Sequence, residues 1–140
     1  MEIQIREFVP EDTVLAIELW KATEGIGLSA ADEPGQIARY LMRNPGMSFT
    51  AWDGQKMIGA VLCGHDGRRG YLHHLAVRAD YRGRGIGQAL AERCHAAMRS
   101  EGIDKVHIFV FRENQAALAF WQRVHYQPRE NLALLSRNLD

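Results

Sequence analysis

No stretch of this 140-residue chain approaches the ~20 consecutive apolar residues that span a bilayer, and residues 1–8 alternate charged and apolar side chains where an export signal would need an apolar core. A cytoplasmic location is the expectation. Excess charge of one sign is missing too: 17 Lys and Arg balance 17 Asp and Glu. The chain as a whole therefore attracts neither nucleic acid nor an anionic membrane, and any anion site must be local. Cysteine is scarce. Cys63 and Cys94 stand in strand-like and helix-like apolar runs, without the CxxC or Cys/His spacing that holds zinc. They are expected to be buried free thiols, and no metal is expected. No internal repeat or low-complexity tract breaks the chain. Its length suits one globular domain, residues 1–140, that buries about two-thirds of its unfolded surface.

What is present is an orderly succession of periodic segments. Ile3 and Ile5 alternate with polar neighbours like an edge strand, and Pro10, Glu11 and Asp12 start a helix that runs to about Ala22. A stretch rich in Gly, Ser and Ala, 23–31, follows. Asp32 and Pro34 then restart a helix with Ile37, Tyr40 and Leu41 on one face, ended by Asn44, Pro45 and Gly46. Segments 47–52 and 57–65 read as strands joined through Asp53 and Gly54, and a turn over 66–70 leads to a third strand, 71–77. Ile86, Leu90, Cys94, Ala97 and Met98 form the apolar stripe of a helix that Gly102 stops, before a short buried strand, 106–111. Right-handed crossover makes strands 71–77 and 106–111 parallel neighbours. A last helix starts near Asn114, a good N-cap residue, and two short strands near 126–129 and 132–138 are expected to finish the sheet.

The most informative junction lies between strand 71–77 and the helix after it, where Arg82, Gly83, Arg84, Gly85, Ile86, Gly87 and Gln88 stand in a row. Alternating glycines let the backbone turn tightly and approach a ligand, while the unpaired N–H groups and the positive end of the following helix face an anion. A pyrophosphate fits such a cradle, with Gly83 to Gln88 donating backbone N–H groups and the Arg82 and Arg84 side chains adding charge. Two rival phosphate motifs fit worse. A P-loop needs Lys and then Ser or Thr after its last Gly, where Gln88 and Ala89 stand, and a dinucleotide fingerprint needs a third Gly at position 88.

Arg82, Gly85 and Gly87 resemble the acetyl-CoA loop of the GNAT N-acetyltransferase superfamily: Gln or Arg, two residues, Gly, one residue, Gly or Ala. The resemblance extends to Leu75, Ala76 and Val77 before the loop, to Tyr81 leading into it, and to Asn114, Ala117 and Phe120 beyond it. It covers about residues 58–126. It implies a mixed α/β (α+β) fold: a central, mostly antiparallel sheet of six to seven strands, flanked by about four helices, with two splayed parallel central strands. It implies acetyl-CoA as cosubstrate, with pantetheine in the gap between those strands and hydrogen-bonded to the backbone of Leu75 and Val77. Asn114 then bonds to the pantetheine amide, caps its helix, or does both. The implied acceptor is a primary amine of a small molecule, an amino acid or a peptide. A homodimer is compatible with the resemblance.

Acetyl transfer to an amine needs a neutral nucleophile, a stabilised oxyanion and a leaving thiol. An amine of pKa near ~10.4 is about one part in a thousand neutral at pH 7, which puts roughly 4 to 5 kcal/mol on a base or on desolvation. The resemblance puts the oxyanion donor at the backbone N–H of Leu75 or Ala76. Arylalkylamine acetyltransferases carry histidines two and four residues before the Leu of a Leu-Ala-Val triplet; His73 matches one position and Tyr71 occupies the other. Strand alternation puts Tyr71, His73, Leu75 and Val77 on one face and Leu72, His74 and Ala76 on the other. His73 is thus either the base, directly or through water, or part of a partly exposed strand pair with His74. Many relatives place a Tyr seven residues after the Asn as general acid, where this chain has Trp121, whose indole is no usable acid. Trp121 bonds to the sulfur or is structural, or Tyr126 supplies the phenol. A thiol near ~8.5 leaves without much help. The alternative is an acyl-CoA-binding module with weak or no catalysis. Relatives also often have Gly then Phe where His125 and Tyr126 stand. For the acceptor, Trp20, Ile26, Leu28, Tyr40 and Trp52 form either an apolar wall or core, and Glu24, Asp32, Glu33 and Asp66 either hold a cation or are solvated.

Overall fold

The computed structural model describes residues 2–139. Two compact units divide the chain, the first ending at Phe109 and the second starting at Val110.

The first unit runs β1 (Ile3–Glu7), α1 (Thr13–Lys21), α2 (Pro34–Arg43), β2 (Phe49–Asp53), β3 (Lys56–His65), β4 (Gly70–Val77), α3 (Ile86–Ser100) and β5 (Val106–Ile108). Its sheet follows chain order, β1-β2-β3-β4-β5; the first three pairings are antiparallel and β4–β5 is parallel. The β2–β3 hairpin turns where the Asp53–Gly54 pair foretells, with Gly54 at φ +61°. β3 is buried from Met57 through Gly64, so it reads as a continuous apolar run, the mark of a strand covered on both faces. Gly59 lets α3 lie close on one face: a Cβ there would stand 3.0 Å from Leu90 Cδ1. On the other face Ala60, Leu62 and Ala76 pack with Trp20, Ile37 and Leu41 of α1 and α2. Trp20 and Trp52 are buried in this core, so neither walls an acceptor; the Trp52 indole Nε1–H donates to Thr50 Oγ1 at 2.7 Å. Cys63 and Cys94 are buried free thiols, as expected. No helix among the described residues is long and apolar enough to cross a membrane.

The second unit holds α4 (Gln115–Arg123), capped where Asn114 Oδ1 accepts from the Ala117 N–H at 3.1 Å. Its end is a Schellman turn: the Tyr126 N–H reaches the Trp121 carbonyl at 2.9 Å, and the His125 N–H reaches the Gln122 carbonyl at 3.0 Å. His125 takes the left-handed position, φ +75°, that glycine usually fills, so the turn survives the change of residue. The two strands expected near 126–129 and 132–138 are absent, which corrects the expected count from six or seven to five among the described residues and leaves β5, three residues long, at the sheet edge. Pro128 withdraws a ladder donor, and the adjacent Leu134 and Leu135, both exposed, break the two-residue period a half-buried strand needs.

Candidate active site

β4 carries one residue too many for its partner. Between the Ala60–Ala76 and Leu62–His73 pairs, β4 advances three residues while β3 advances two, and His74 absorbs the bulge at φ +58°. A left-handed non-glycine residue is uncommon, and histidine is among the side chains that tolerate it. The bulge overturns the expected alternation: His73 and His74 share one face, their rings 6.3 Å apart, and Ala76 joins the α1–α2 cluster. Beyond the bulge the sheet also opens. Parallel pairing with β5 ends at Leu72–Ile108, so among the described residues 73–77 have no strand on that edge.

His73 and His74 line a cavity of about 470 Å³ between β4 and the α2 side of the unit. Opposite them, the turn before α2 is tied by a reciprocal cap. The Ser29 N–H donates to Asp32 Oδ2 at 3.0 Å, and Ser29 Oγ accepts from the Ala31 N–H at 3.2 Å. That cap aims Asp32 Oδ1 at His74 Nε2, 2.9 Å away, and the His74 ring rests on Trp20 with centroids 5.1 Å apart. The Asp32–His74 pair joins residues 42 apart in sequence. The sequence places Asp32 at a helix start and among charges that either hold a cation or are solvated, and the Ser29-x-x-Asp32 spacing signals the cap, but nothing local pairs it with His74. Asp66, weighed alongside it, instead ties its own turn through the N–H groups of Arg68 and Arg69, each at 2.8 Å.

His73 stands between aromatic neighbours: Tyr40 edge-on at 6.1 Å, with Tyr71 and Phe109 stacked at 6.5 and 6.2 Å. Burial, aided by the neighbouring His74 and opposed by Asp32, lowers the His73 pKa from its ordinary value, so the imidazole is neutral at pH 7. A neutral imidazole accepts a proton. Burial also pushes the Tyr40 phenol far up, so it stays protonated and serves as a donor. Tyr71 is held in the stack between His73 and Phe109.

The cradle forms at the other end of β4. Gly83 and Gly85 both take φ +78°, and a Cβ built on either meets nothing within 4 Å. The first helical bond recorded for α3 runs from the Ala89 N–H to the Gly85 carbonyl at 3.0 Å. The N–H groups of Ile86, Gly87 and Gln88 therefore have no intrahelical acceptor and point off the helix start, with the positive end of its dipole behind them. The two arginines serve the loop's own shape. Arg82 Nε donates to the Val77 carbonyl at 3.0 Å, so that carbonyl is already engaged, and Arg84 lies over the Tyr81 ring at 5.3 Å. The Tyr81 hydroxyl in turn donates to Asp53 Oδ2 at 2.5 Å. This donor set, open to solvent and free of Cβ obstruction, fits a diphosphate.

Trp121 and Tyr126 lie in the second unit, rings edge-to-face at 5.0 Å, and Phe120 meets Trp121 at the same distance and tilt class. Asn114 and Ala117 form the α4 cap there.

Comparison with known proteins agrees with this fold. The profile of the acetyltransferase (GNAT) family matches residues 13–126. An acetyltransferase of Sodalis glossinidius is 29% identical over 137 residues, covering 98% of this chain and 96% of that protein. An acetyltransferase of Yersinia pestis is 30% identical over 135 residues, covering 96% and 95%. Among solved structures, the PaiA N-acetyltransferase of Thermoplasma acidophilum in complex with coenzyme A superposes with a TM-score of 0.77 at 20% identity, covering 91% of each chain.

Proposed function

This chain belongs to the acetyltransferase (GNAT) family, and on that premise we propose that it moves an acetyl group from acetyl-CoA directly to a primary amine of a small molecule, an amino acid or a peptide. The 140 residues act as one catalytic domain in the cytoplasm. Acetyl-CoA supplies an activated acetyl thioester. The amides of Gly83 to Gln88 grip its diphosphate, and the open edge of β4, at Leu75, aligns the rest of the coenzyme and offers the N–H that stabilises developing negative charge; Ala76 pairs with Ala60 of β3 and turns its own N–H that way. Such a donor contributes roughly 3 kcal/mol in comparable chemistry. The amine enters the cavity beside α2, and a neutral ring nitrogen of His73 takes its proton, directly or through water. Tyr71 holds the His73 ring in place. Asn114 caps α4, while Trp121 packs between Phe120 and Tyr126 and leaves the departing thiolate to its own low basicity.

The observation that carries this reading is the β4 bulge, which sets a depressed-pKa histidine at the point where the strand edge opens. The test is the pH profile of kcat/KM for wild type and His73→Ala; an unchanged acidic limb removes His73 as the base. A second reading, an acyl-CoA-binding module with weak catalysis, is favoured by the indole of Trp121 where a phenol acid would stand. Trp121→Tyr separates them: a rise in turnover marks an enzyme short of its acid, and no thiol release from either form marks a binder.

A further inference from the structure

We infer that the acceptor amine carries a carboxylate, which Arg39 and Arg43 hold at the rim of the α2 cavity. This rests on the acetyl-transfer reading and narrows its acceptor. α2 turns Gln36, Arg39, Tyr40 and Arg43 toward the cavity, the helical spacing of a single face. Arg39 and Arg43 sit one turn apart, a rise of about 6 Å, so their guanidinium groups reach a common point. Among the described residues neither has a carboxylate within ion-pair distance; the two Arg–Asp pairs and the three His–carboxylate contacts use other side chains.

The charges around the cavity do not balance. Asp32 is its one lining carboxylate, and both of its oxygens are engaged, one by His74 and one by the Ser29 N–H. His73 is neutral and Tyr40 is protonated. Two guanidinium groups thus face a space that contains no unengaged anion. A polycationic amine is repelled there, and an amine that brings its own carboxylate completes the set, since guanidinium and carboxylate match as planar, two-pronged partners. The polarity also sets the orientation. His73 adjoins Tyr40 on the sheet side, so the amine lies toward His73 while the carboxylate lies toward the rim. Ile37 and Leu62 give the body of the acceptor an apolar floor, and the cavity volume of about 470 Å³ suits a small molecule.

The test measures thiol release from acetyl-CoA with matched acceptors: α- and ω-amino acids, the corresponding amino amides, and spermidine as the polycation. Amino acids are expected to exceed their amides by about tenfold or more in kcat/KM, chiefly through KM. Arg39→Gln and Arg43→Gln each shrink that preference, the double variant most, and Arg43→Lys restores part of it. Amides or spermidine used as well as the amino acids, or a preference untouched in the double variant, overturns the carboxylate assignment and leaves acetyl transfer standing. No release with any amino acid overturns it as well. In that case acetyl transfer itself is judged separately, from the amide and spermidine arms and from stabilisation of the protein by acetyl-CoA.

Discussion

Gly85→Ala isolates the backbone geometry of the cradle from everything else. Gly85 has φ +78° and ψ 9°, and an added Cβ meets nothing within 4 Å, so the substitution creates no protein clash and its cost is the dihedral alone. For an L-residue in the left-handed region that cost is about 1 to 2 kcal/mol. The loop has two responses. It keeps its shape and the protein melts a few degrees lower, or it relaxes to negative φ and turns the N–H groups of residues 86–88 away from the diphosphate. Each charge-assisted hydrogen bond lost in the second case weakens acetyl-CoA binding by about 1.5 to 3 kcal/mol, tenfold or more. Gly85→Asn is the control, because asparagine tolerates the left-handed region. Melting curves with and without acetyl-CoA read both responses at once, since ligand at 100 times its Kd stabilises by about 2.7 kcal/mol. The expected order of the variants is Gly85, then Asn, then Ala, in melting temperature or in ligand-induced shift. If Gly85→Ala matches wild type in both, the coenzyme does not sit on these amides.

Three further outcomes follow from other parts of the first and second units. His73 and His95 both have pKa values lowered by burial, so below ~6.5 the unfolded chain binds more protons than the folded one, and stability falls as pH drops through that value; urea titrations from pH 7.5 to 5 should show this acid slope flattened in His73→Gln/His95→Gln, and an unchanged slope refutes the assignment. Gly64→Ala drives a Cβ to 2.5 Å from the hydroxyl of Tyr40, which lines the cavity, and to 2.6 Å from the buried Asn44 behind it. About 1 to 3 kcal/mol of stability should be lost, with a raised acceptor KM and an unaltered acetyl-CoA Kd. His125→Gly supplies the residue that the left-handed end of α4 prefers and should raise stability by about 1 kcal/mol in denaturant melts; a loss would mean that the His125 side chain contributes more than its backbone costs.

The parts of the fold that were legible in the sequence are those fixed by local chemistry. The Asp53–Gly54 turn, the apolar stripe from Ile86 to Met98 and the alternating glycines of the cradle each depend on residues within a few positions of one another, and each stands where expected. What was hidden depends on pairing at long range. A bulge is defined by two strands, and nothing in the run from Tyr71 to Val77 announces that β3 will advance two residues while β4 advances three. The Asp32–His74 pair was invisible for the same reason: it spans 42 positions and exists only because the bulge turns His74 to the α2 side. The missing strands near 126–129 and 132–138 show the opposite error, where two short segments expected to finish the sheet are denied that role by Pro128 and by the Leu134–Leu135 repeat.

One extra residue in β4 therefore accounts for more of the site than any single side chain. Without it His74 would face α3, Asp32 would lose its partner, and the stretch before α2 would lose its only side-chain tie to the sheet among the recorded hydrogen bonds of the described residues. The same residue stands where β4 parts from β5, so the step that turns His73 and His74 into the cavity also marks the start of the free strand edge. On the proposed reading both functions meet at one backbone irregularity: a change in the bulge that shifts His73 also shifts the amide of Leu75. A left-handed histidine, costly at an ordinary strand position, is held here by its hydrogen bond to Asp32 and by the indole of Trp20 beneath it.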